Sequence, residues 1–228
     1  MNRMTAKTAL AALAIACGLG AFSAPVRAQQ FSADLVDLNA DGSRRDTGES
    51  GKLFTSGSKV RIDRADASGT RFLLDVDEPS AYVVAPLQRL YMDARQSSVL
   101  TELLVPVDPA APCARWQAMA TVAGDLGTDG AGEWRCTPTG SEEVNGRAAV
   151  KVLMTSPTGV ARTGWIDAAL KFPIRIEAAD HSVVELRNID EAPQPRGLFE
   201  IAGSFRKYDP EQLIARIKQS DVWVEPPK

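Results

Sequence analysis

Hydrophobic and polar residues alternate with a period of two along most of the chain after Phe31. Such alternation predicts β-strands with one apolar and one polar face, and it is clearest over 162–167 and 172–177. Asn145-Gly146 lies between two of these runs and is typical of a two-residue hairpin. The spacing predicts an antiparallel meander, with further strands over 60–62, 72–76, 82–84, 90–92, 150–154, 182–189 and 198–201.

Three segments have apolar residues at helical spacing instead. They are 97–105, 112–123 and 209–219, and in the last of these Asp209 suits the N-cap and Pro210 the first helical position. A sheet with one apolar face has to be covered on that face. We therefore expect an α+β, mainly β fold, in which a curved antiparallel sheet carries helices on its apolar side.

The first 28 residues predict a secretory signal peptide. Arg3 and Lys7 precede an apolar run over 9–22, and an A-x-A-like site predicts cleavage after Ala28. The run is shorter than the about 20 residues that a membrane-spanning helix needs. The mature chain is therefore predicted to be periplasmic, with no transmembrane segment. Cys17 leaves a lipoprotein signal open as an alternative, although the residues after it are apolar.

Charge and length limit the classes of function. Residues 29–228 keep 23 basic and 29 acidic side chains, a formal charge of −6. This balance argues against nucleic acid as a partner, because nucleic-acid binding requires clustered Lys and Arg. A mature chain of about 200 residues can bury one sizeable core, so we expect a single domain over 29–228.

Two cysteines remain after cleavage, Cys113 and Cys136. An even number of cysteines in an oxidising compartment favours a disulfide. Closing a loop of this length would stabilise the fold by about 3 kcal/mol in the chain-entropy model. Two buried free thiols remain the alternative.

Two local motifs resemble functional sites but fit turns better. The stretch 37–42, DLNADG, resembles the opening of a calcium loop, whose twelfth position requires a bidentate Glu. That position is Gly48, so we expect a turn between strands. His181 is the only histidine and lies beside Asp180 and Ser182 between two predicted strands. A single histidine excludes multi-His metal sites and most triads, and we expect an exposed turn residue.

Enzymatic motifs are absent from the sequence. There is no G-x-S-x-G elbow, phosphate loop or dinucleotide fingerprint. Carboxylates such as Glu142 and Glu143 occupy polar positions of alternating strands, where solvated charge is expected. A glycosidase-like carboxylate pair stays open, but we predict a non-enzyme with no catalytic residue, metal or cofactor.

The second half of the chain, 147–201, resembles LolA-like proteins, the superfamily of periplasmic carriers for outer-membrane lipoproteins and their exported relatives. The resemblance is carried by the motifs WID (165–167) and FPIR (172–175) and by the strands that follow them. In the first half, GKLFTSGSKVRID (51–63) and RLYMDA (89–94) fit the same order.

The resemblance implies an incomplete, strongly curved β-barrel, with helices over a concave apolar face that takes up an acyl chain of a lipid or lipoprotein. The chain departs from the family in its extension beyond Ile201 and in the region between its two cysteines. No residue matches the arginine through which the classical carrier controls its lid. The apolar candidates for the cavity are Leu74, Val84, Leu90, Met92, Leu100, Leu103, Leu104, Trp116, Met119, Val152, Ile166, Phe172, Ile174 and Ile176.

Two further alternatives remain open at this stage. The same apolar residues also suit a filled core without a ligand cavity. The fold also suits a module that binds an envelope protein, for example a stress sensor, in place of a carrier.

Overall fold

The computed structural model describes residues 29–45, 50–65, 67–94, 103–124 and 133–209. Within these ranges, twelve strands form one open, curved sheet accompanied by one α-helix, which confirms a mainly β architecture. The elements are β1 (Gln30–Leu38), β2 (Gly51–Ser56), β3 (Lys59–Arg64), β4 (Arg71–Asp75), β5 (Ser80–Ala85), β6 (Leu90–Asp93), α1 (Pro112–Gly124), β7 (Arg135–Val144), β8 (Arg147–Thr155), β9 (Ala161–Asp167), β10 (Phe172–Glu177), β11 (Val183–Asp190) and β12 (Arg206–Lys207).

The sheet consists of two antiparallel meanders that meet at β1. Strands β1 to β6 follow one another on one side, and β11 to β7 follow in reverse order on the other, because β11 returns to pair with β1. The short β12 adds a parallel edge to β6. At the β7–β8 hairpin, Asn145 and Gly146 have φ values of 51° and 77°, the left-handed pair that a type I′ turn requires. This confirms the hairpin predicted from the sequence.

Strand register divides the side chains between two faces. Directly opposed residues of antiparallel strands point to the same face. Val152, Gly164, Ile176 and Val184 form one such row across β8 to β11. A second row across β1 to β5 runs through Phe31, Thr55, Val60, Leu74 and Ala81. We call the face that carries these rows the inner face and the opposite face the outer face.

Residues 103–124, which include α1, pack against the inner face, and we call them the covering segment. Trp116 and Met119 of α1 lie in one buried apolar cluster with the strand residues of the inner face. Pro112 at the first helical position suits the start of α1, because the missing N–H is one that a helix leaves unpaired. The inner face and the covering segment therefore share one core.

The C-terminal part of the described chain crosses the outer face. Gln194 N–H donates to the side chain of Gln30, and Arg61 donates to the carbonyl of Leu198, at 2.7 and 3.3 Å. The stretch predicted as a strand over 198–201 is a 3-10 turn, Arg196–Phe199, so that prediction is wrong. Pro195 and Gly197 suit a turn. The described hydrogen bond from this turn to β3 is made by the Arg61 side chain and not by a backbone ladder.

The three predicted helices have different outcomes. Helix 112–123 is confirmed as α1. Of 97–105, residues 103–105 form a turn and bend, and the remainder lies outside the described residues. The helix predicted over 209–219 lies outside them as well, apart from Asp209. Coverage of a concave face by several helices therefore stays a prediction.

Candidate functional site

The inner face brings together most of the apolar residues that the sequence singles out. The strand residues lie on four different strands, and each is at most 3% exposed. They belong to the same cluster as four residues of the covering segment, so strand and cover are in direct contact. The strand members are Leu74, Val152, Ile166, Phe172, Ile174 and Ile176, and the cover members are Leu103, Leu104, Trp116 and Met119.

Four predicted cavity residues are placed differently. Val84 pairs with Arg71 and Tyr91 and therefore lies on the outer face. Leu90 and Met92 lie on β6 near the edge of the sheet, where Leu90 is half-buried and Met92 is 39% exposed. Leu100 lies outside the described residues.

The side chain of Trp116 packs against the inner face at Gly164, where the absence of a side chain leaves a gap that we call the Gly164 notch. A Cβ atom added at Gly164 would lie 3.5 Å from the Trp116 ring and 3.2 Å from the Met154 methyl group. The indole N–H of Trp116 donates to the carbonyl of Leu103 at 3.0 Å. A glycine inside a strand marks a close approach, and here it allows the largest side chain of the cover to reach the sheet.

The covering segment is attached to the sheet at three described points besides this packing. Cys113, the second residue of α1, forms a disulfide with Cys136 of β7, with Cα atoms 5.7 Å apart, which confirms the predicted pairing. The Arg115 guanidinium donates to the Val76 carbonyl at 2.9 Å and to Asp77 at 3.0 Å. Val107 N–H donates to the Lys171 carbonyl at 2.8 Å in the turn between β9 and β10. The segment therefore spans the inner face between two turns and an edge strand.

The motif WID has a structural role on the side away from the cover. Trp165 lies on the outer face between Lys151 and Arg175, whose cationic groups are 5.0 and 4.9 Å from the ring centroid. Its N–H donates to Glu142 at 2.8 Å. Hydrogen bonds from Lys151 and then Trp165 lower the pKa of Glu142. This cluster fixes β7 to β10 to one another and leaves the indole without free area for a ligand.

Asp167 explains why the same motif ends in an acidic residue. Its carboxylate accepts the N–H groups of Ala169 and Leu170 at 2.8 and 2.9 Å, in the turn that leads to β10. The other oxygen accepts from the Arg147 guanidinium, and Arg147 also pairs with Glu191. The carboxylate therefore shapes the turn that places Phe172 on the inner face, where its ring packs edge-on against Phe31.

An open groove of about 610 Å³ lies on the outer face where the two meanders meet. Asp34 pairs across the sheet with Arg187 and Lys52, and Lys52 pairs with Asp63. The charges therefore alternate in sign across four strands. Opposite charges on directly opposed residues stabilise one another, so the row has a structural explanation.

Sequence reasoning missed the contacts that Gly164 and Arg115 make between the sheet and the covering segment. An isolated glycine within a predicted strand is a signal of close approach and was available at Gly164. Arg115 gives no such signal, because a cation on a helix usually faces solvent. Its partners come from the turn between β4 and β5, which only the folded chain brings near.

The two motifs assigned to turns behave as predicted. In the stretch after β1, Asp41 accepts from the N–H of Ser43 at 2.9 Å, and Gly42 has a φ of 80°. His181 is exposed in the turn between β10 and β11. In the described part of the chain, no three His, Cys, Asp or Glu side chains are grouped closely enough to hold a metal ion. Nor does any described helix combine the length and apolarity needed to cross a membrane.

No protein-family model matches the chain, and no curated protein matches it. Among solved structures, PNGF-II in its P21 crystal form has a TM-score of 0.51 at 12% identity, covering 84% of this chain and 34% of its own. MucB in complex with MucA(peri) has a TM-score of 0.32 at 13% identity, with 79% and 56% covered.

A putative outer membrane lipoprotein-sorting protein domain from Vibrio parahaemolyticus has a TM-score of 0.31 at 10% identity, with 75% and 89% covered. The chain thus spans about a third of the length of PNGF-II, and that likeness shows a shared fold alone. The other two structures, with TM-scores below 0.5, carry no argument.

Proposed function

We propose that the protein is a non-enzymatic periplasmic carrier that binds an acyl chain of a lipid or lipoprotein between the inner face and the covering segment. The observation that carries the proposal is the apolar inner face, whose covering segment packs on it and has three further described points of attachment. The ligand and the covering segment would occupy the same inner face, so ligand binding requires the covering segment to move away from part of this face.

The energetics of an acyl chain support this exchange. Burial of about 16 carbons at roughly 0.8 kcal/mol per methylene gives on the order of 10 kcal/mol before ordering costs. The ligand first has to displace Trp116 and its neighbours, so only the difference between the two sets of contacts appears as affinity. Carriage needs this reversible balance, because a cargo bound without competition would not be released.

The apolar character of the inner face supports ligand binding without catalysis. The two rows that define the inner face consist of apolar residues and a glycine, apart from Thr55. The register also places the buried carboxylate of Asp37 on this face, opposite Val184. An acyl chain needs shape and apolar area and no directed polar group. The charged side chains around Trp165 lie on the outer face, where Lys151 pairs with Glu142 and Arg175 pairs with Glu185.

The test is native mass spectrometry and lipid extraction of the purified protein, followed by titration with a fluorescent fatty acid. We expect co-purified lipid or saturable binding of the probe. A ligand-free preparation that also fails to bind the probe contradicts the proposal. Co-purification with one envelope protein in fixed ratio and without lipid would instead favour the interaction module that the sequence left open.

Matched variants locate the binding face. Ile174 is buried on the inner face, so Ile174→Asp should abolish folding or probe retention, because an unpaired carboxylate there is costly to bury. Leu153 is exposed and pairs with Thr163 on the outer face, so Leu153→Asp should leave both unchanged. Equal behaviour of the two variants would mean that the inner face is misassigned.

A further inference from the structure

The Cys113–Cys136 disulfide joins the covering segment to the sheet close to the point where Trp116 contacts the inner face. Cys113 lies in the first turn of α1, three residues before Trp116. Cys136 lies on β7 and pairs with Met154 of β8. Met154 in turn lines the Gly164 notch that receives Trp116. The covalent link is therefore made next to the point where the cover enters the sheet.

The other attachments of α1 are weaker than a covalent bond. The Arg115–Asp77 ion pair has side chains that are 44% and 66% exposed, and exposed pairs contribute little to stability. The Trp116 hydrogen bond ends on Leu103, which belongs to the covering segment itself and does not fix it to a strand. Arg115 also donates to the Val76 carbonyl at 2.9 Å. Apolar packing accounts for the other described contacts between α1 and the inner face, and packing is what an acyl chain can replace.

Both cysteines are only partly buried, although they pack against the core cluster. Partial exposure admits a small dithiol, whose thiolate can attack one of the two sulfurs. From this placement we propose that the Cys113–Cys136 disulfide is a redox-controlled restraint on α1, and that its reduction by a dithiol releases the helix from the inner face while the sheet stays folded.

The chemistry is an ordinary thiol–disulfide exchange. A thiolate of the dithiol attacks one sulfur of the pair, forms a mixed disulfide and displaces the other cysteine as a thiolate, which takes up a proton. The second thiol of the reductant then displaces the remaining cysteine and closes its own disulfide. Two electrons pass to the protein, two protein thiols result, and the reductant leaves oxidised.

Hydrogen exchange measured by mass spectrometry tests the inference without any ligand. After reduction with dithiothreitol, confirmed by thiol labelling, we expect exchange over 112–121 to accelerate about tenfold or more, as for local opening. Exchange in β3 should not change, and the far-UV circular dichroism of the sheet should persist. Cys113→Ser combined with Cys136→Ser should reproduce the reduced pattern without reductant.

Arg115→Ala is the matched control, because it removes a non-covalent link of α1 and keeps the disulfide. Its exchange over 112–121 should rise much less than on reduction. Unchanged exchange in the fully reduced protein overturns the inference. So does faster exchange in all strands together, because the disulfide would then stabilise the whole fold and not the position of α1.

The consequence for ligand access rests on the proposed function, and the two can fail separately. If the fluorescent fatty acid binds the reduced protein more tightly than the oxidised protein, the restraint controls access to the inner face. If it binds neither form while exchange over 112–121 still responds to reduction, acyl binding is wrong and the redox restraint stands.

Discussion

The variant Trp116→Ala distinguishes between two models of the inner face. In one, the covering segment competes with a ligand for this face; in the other, the covering segment is a permanent part of a filled core. Trp116 is 0% exposed, reaches Gly164 in the wall and donates its indole N–H to Leu103. Truncation removes these contacts from the closed form. In the ligand-bound form that we propose, the indole has already left the wall, so the same truncation removes little.

The magnitude follows from burial. Replacing a buried tryptophan by alanine costs about 3–5 kcal/mol of stability, and loss of the hydrogen bond is part of that cost. If the whole cost falls on the closed form, the affinity for an acyl probe rises by on the order of 10²–10³-fold, since about 1.4 kcal/mol is tenfold. Incomplete displacement lowers this value, and we expect at least about tenfold.

The assay combines urea unfolding, followed by far-UV circular dichroism, with titration of the fluorescent fatty acid. Trp165→Ala is the matched control, because Trp165 is 3% exposed but lies on the outer face between Lys151 and Arg175. It should lose a similar amount of stability, about 3–5 kcal/mol, with no gain in affinity. Trp116→Phe serves as a milder variant if the alanine variant does not fold.

The reasoning is refuted if Trp116→Ala loses stability as calculated while its affinity for the probe stays that of the parent. Trp116 would then be an ordinary core residue. An equal gain in affinity for Trp165→Ala would also refute it, because general loosening and not displacement from the inner face would explain the gain.

Three further outcomes are expected. Asp167→Ala should lower the free energy of unfolding in urea by about 3–5 kcal/mol, since it breaks a buried ion pair and leaves turn N–H groups unpaired. Asp167→Asn should lower it less. Equal losses for the two variants would show that the charge of Asp167 matters more than the geometry of the turn. Thr55→Val should be neutral or stabilising by up to about 1 kcal/mol, because the buried hydroxyl has no hydrogen-bond partner among the described residues; a clear loss of stability would contradict this. The pKa of Asp180 is lowered to about 2, first by hydrogen bonds from Ser182. The stability that this carboxylate contributes is therefore present above the ordinary carboxyl pKa and is lost as the pH falls towards 2. NMR titration of the carboxyl groups should show this pKa, and Ser182→Ala should raise it.

Part of the candidate site could be predicted from the sequence. Period-two alternation placed Phe172, Ile174 and Ile176 on one face, as found, because side-chain direction in a strand follows local geometry. The same reasoning could not place Val84. Whether its face matches that of Leu74 depends on the register between β4 and β5, and the register pairs Leu74 with Ala81.

The sequence by itself determined most of the strands, although not the region 198–201, together with the Asn145-Gly146 hairpin, α1 and the mainly β class. Each of these depends on periodicity or on the φ preferences of a few adjacent residues. It also favoured the disulfide through the number of cysteines. Only the tertiary structure decided that β11 returns to β1, that Trp116 meets Gly164, and that Arg115 reaches the turn after β4. These contacts join residues distant in the chain, and their geometry is set by the twist and register of the whole sheet, to which no local pattern in the sequence is sensitive.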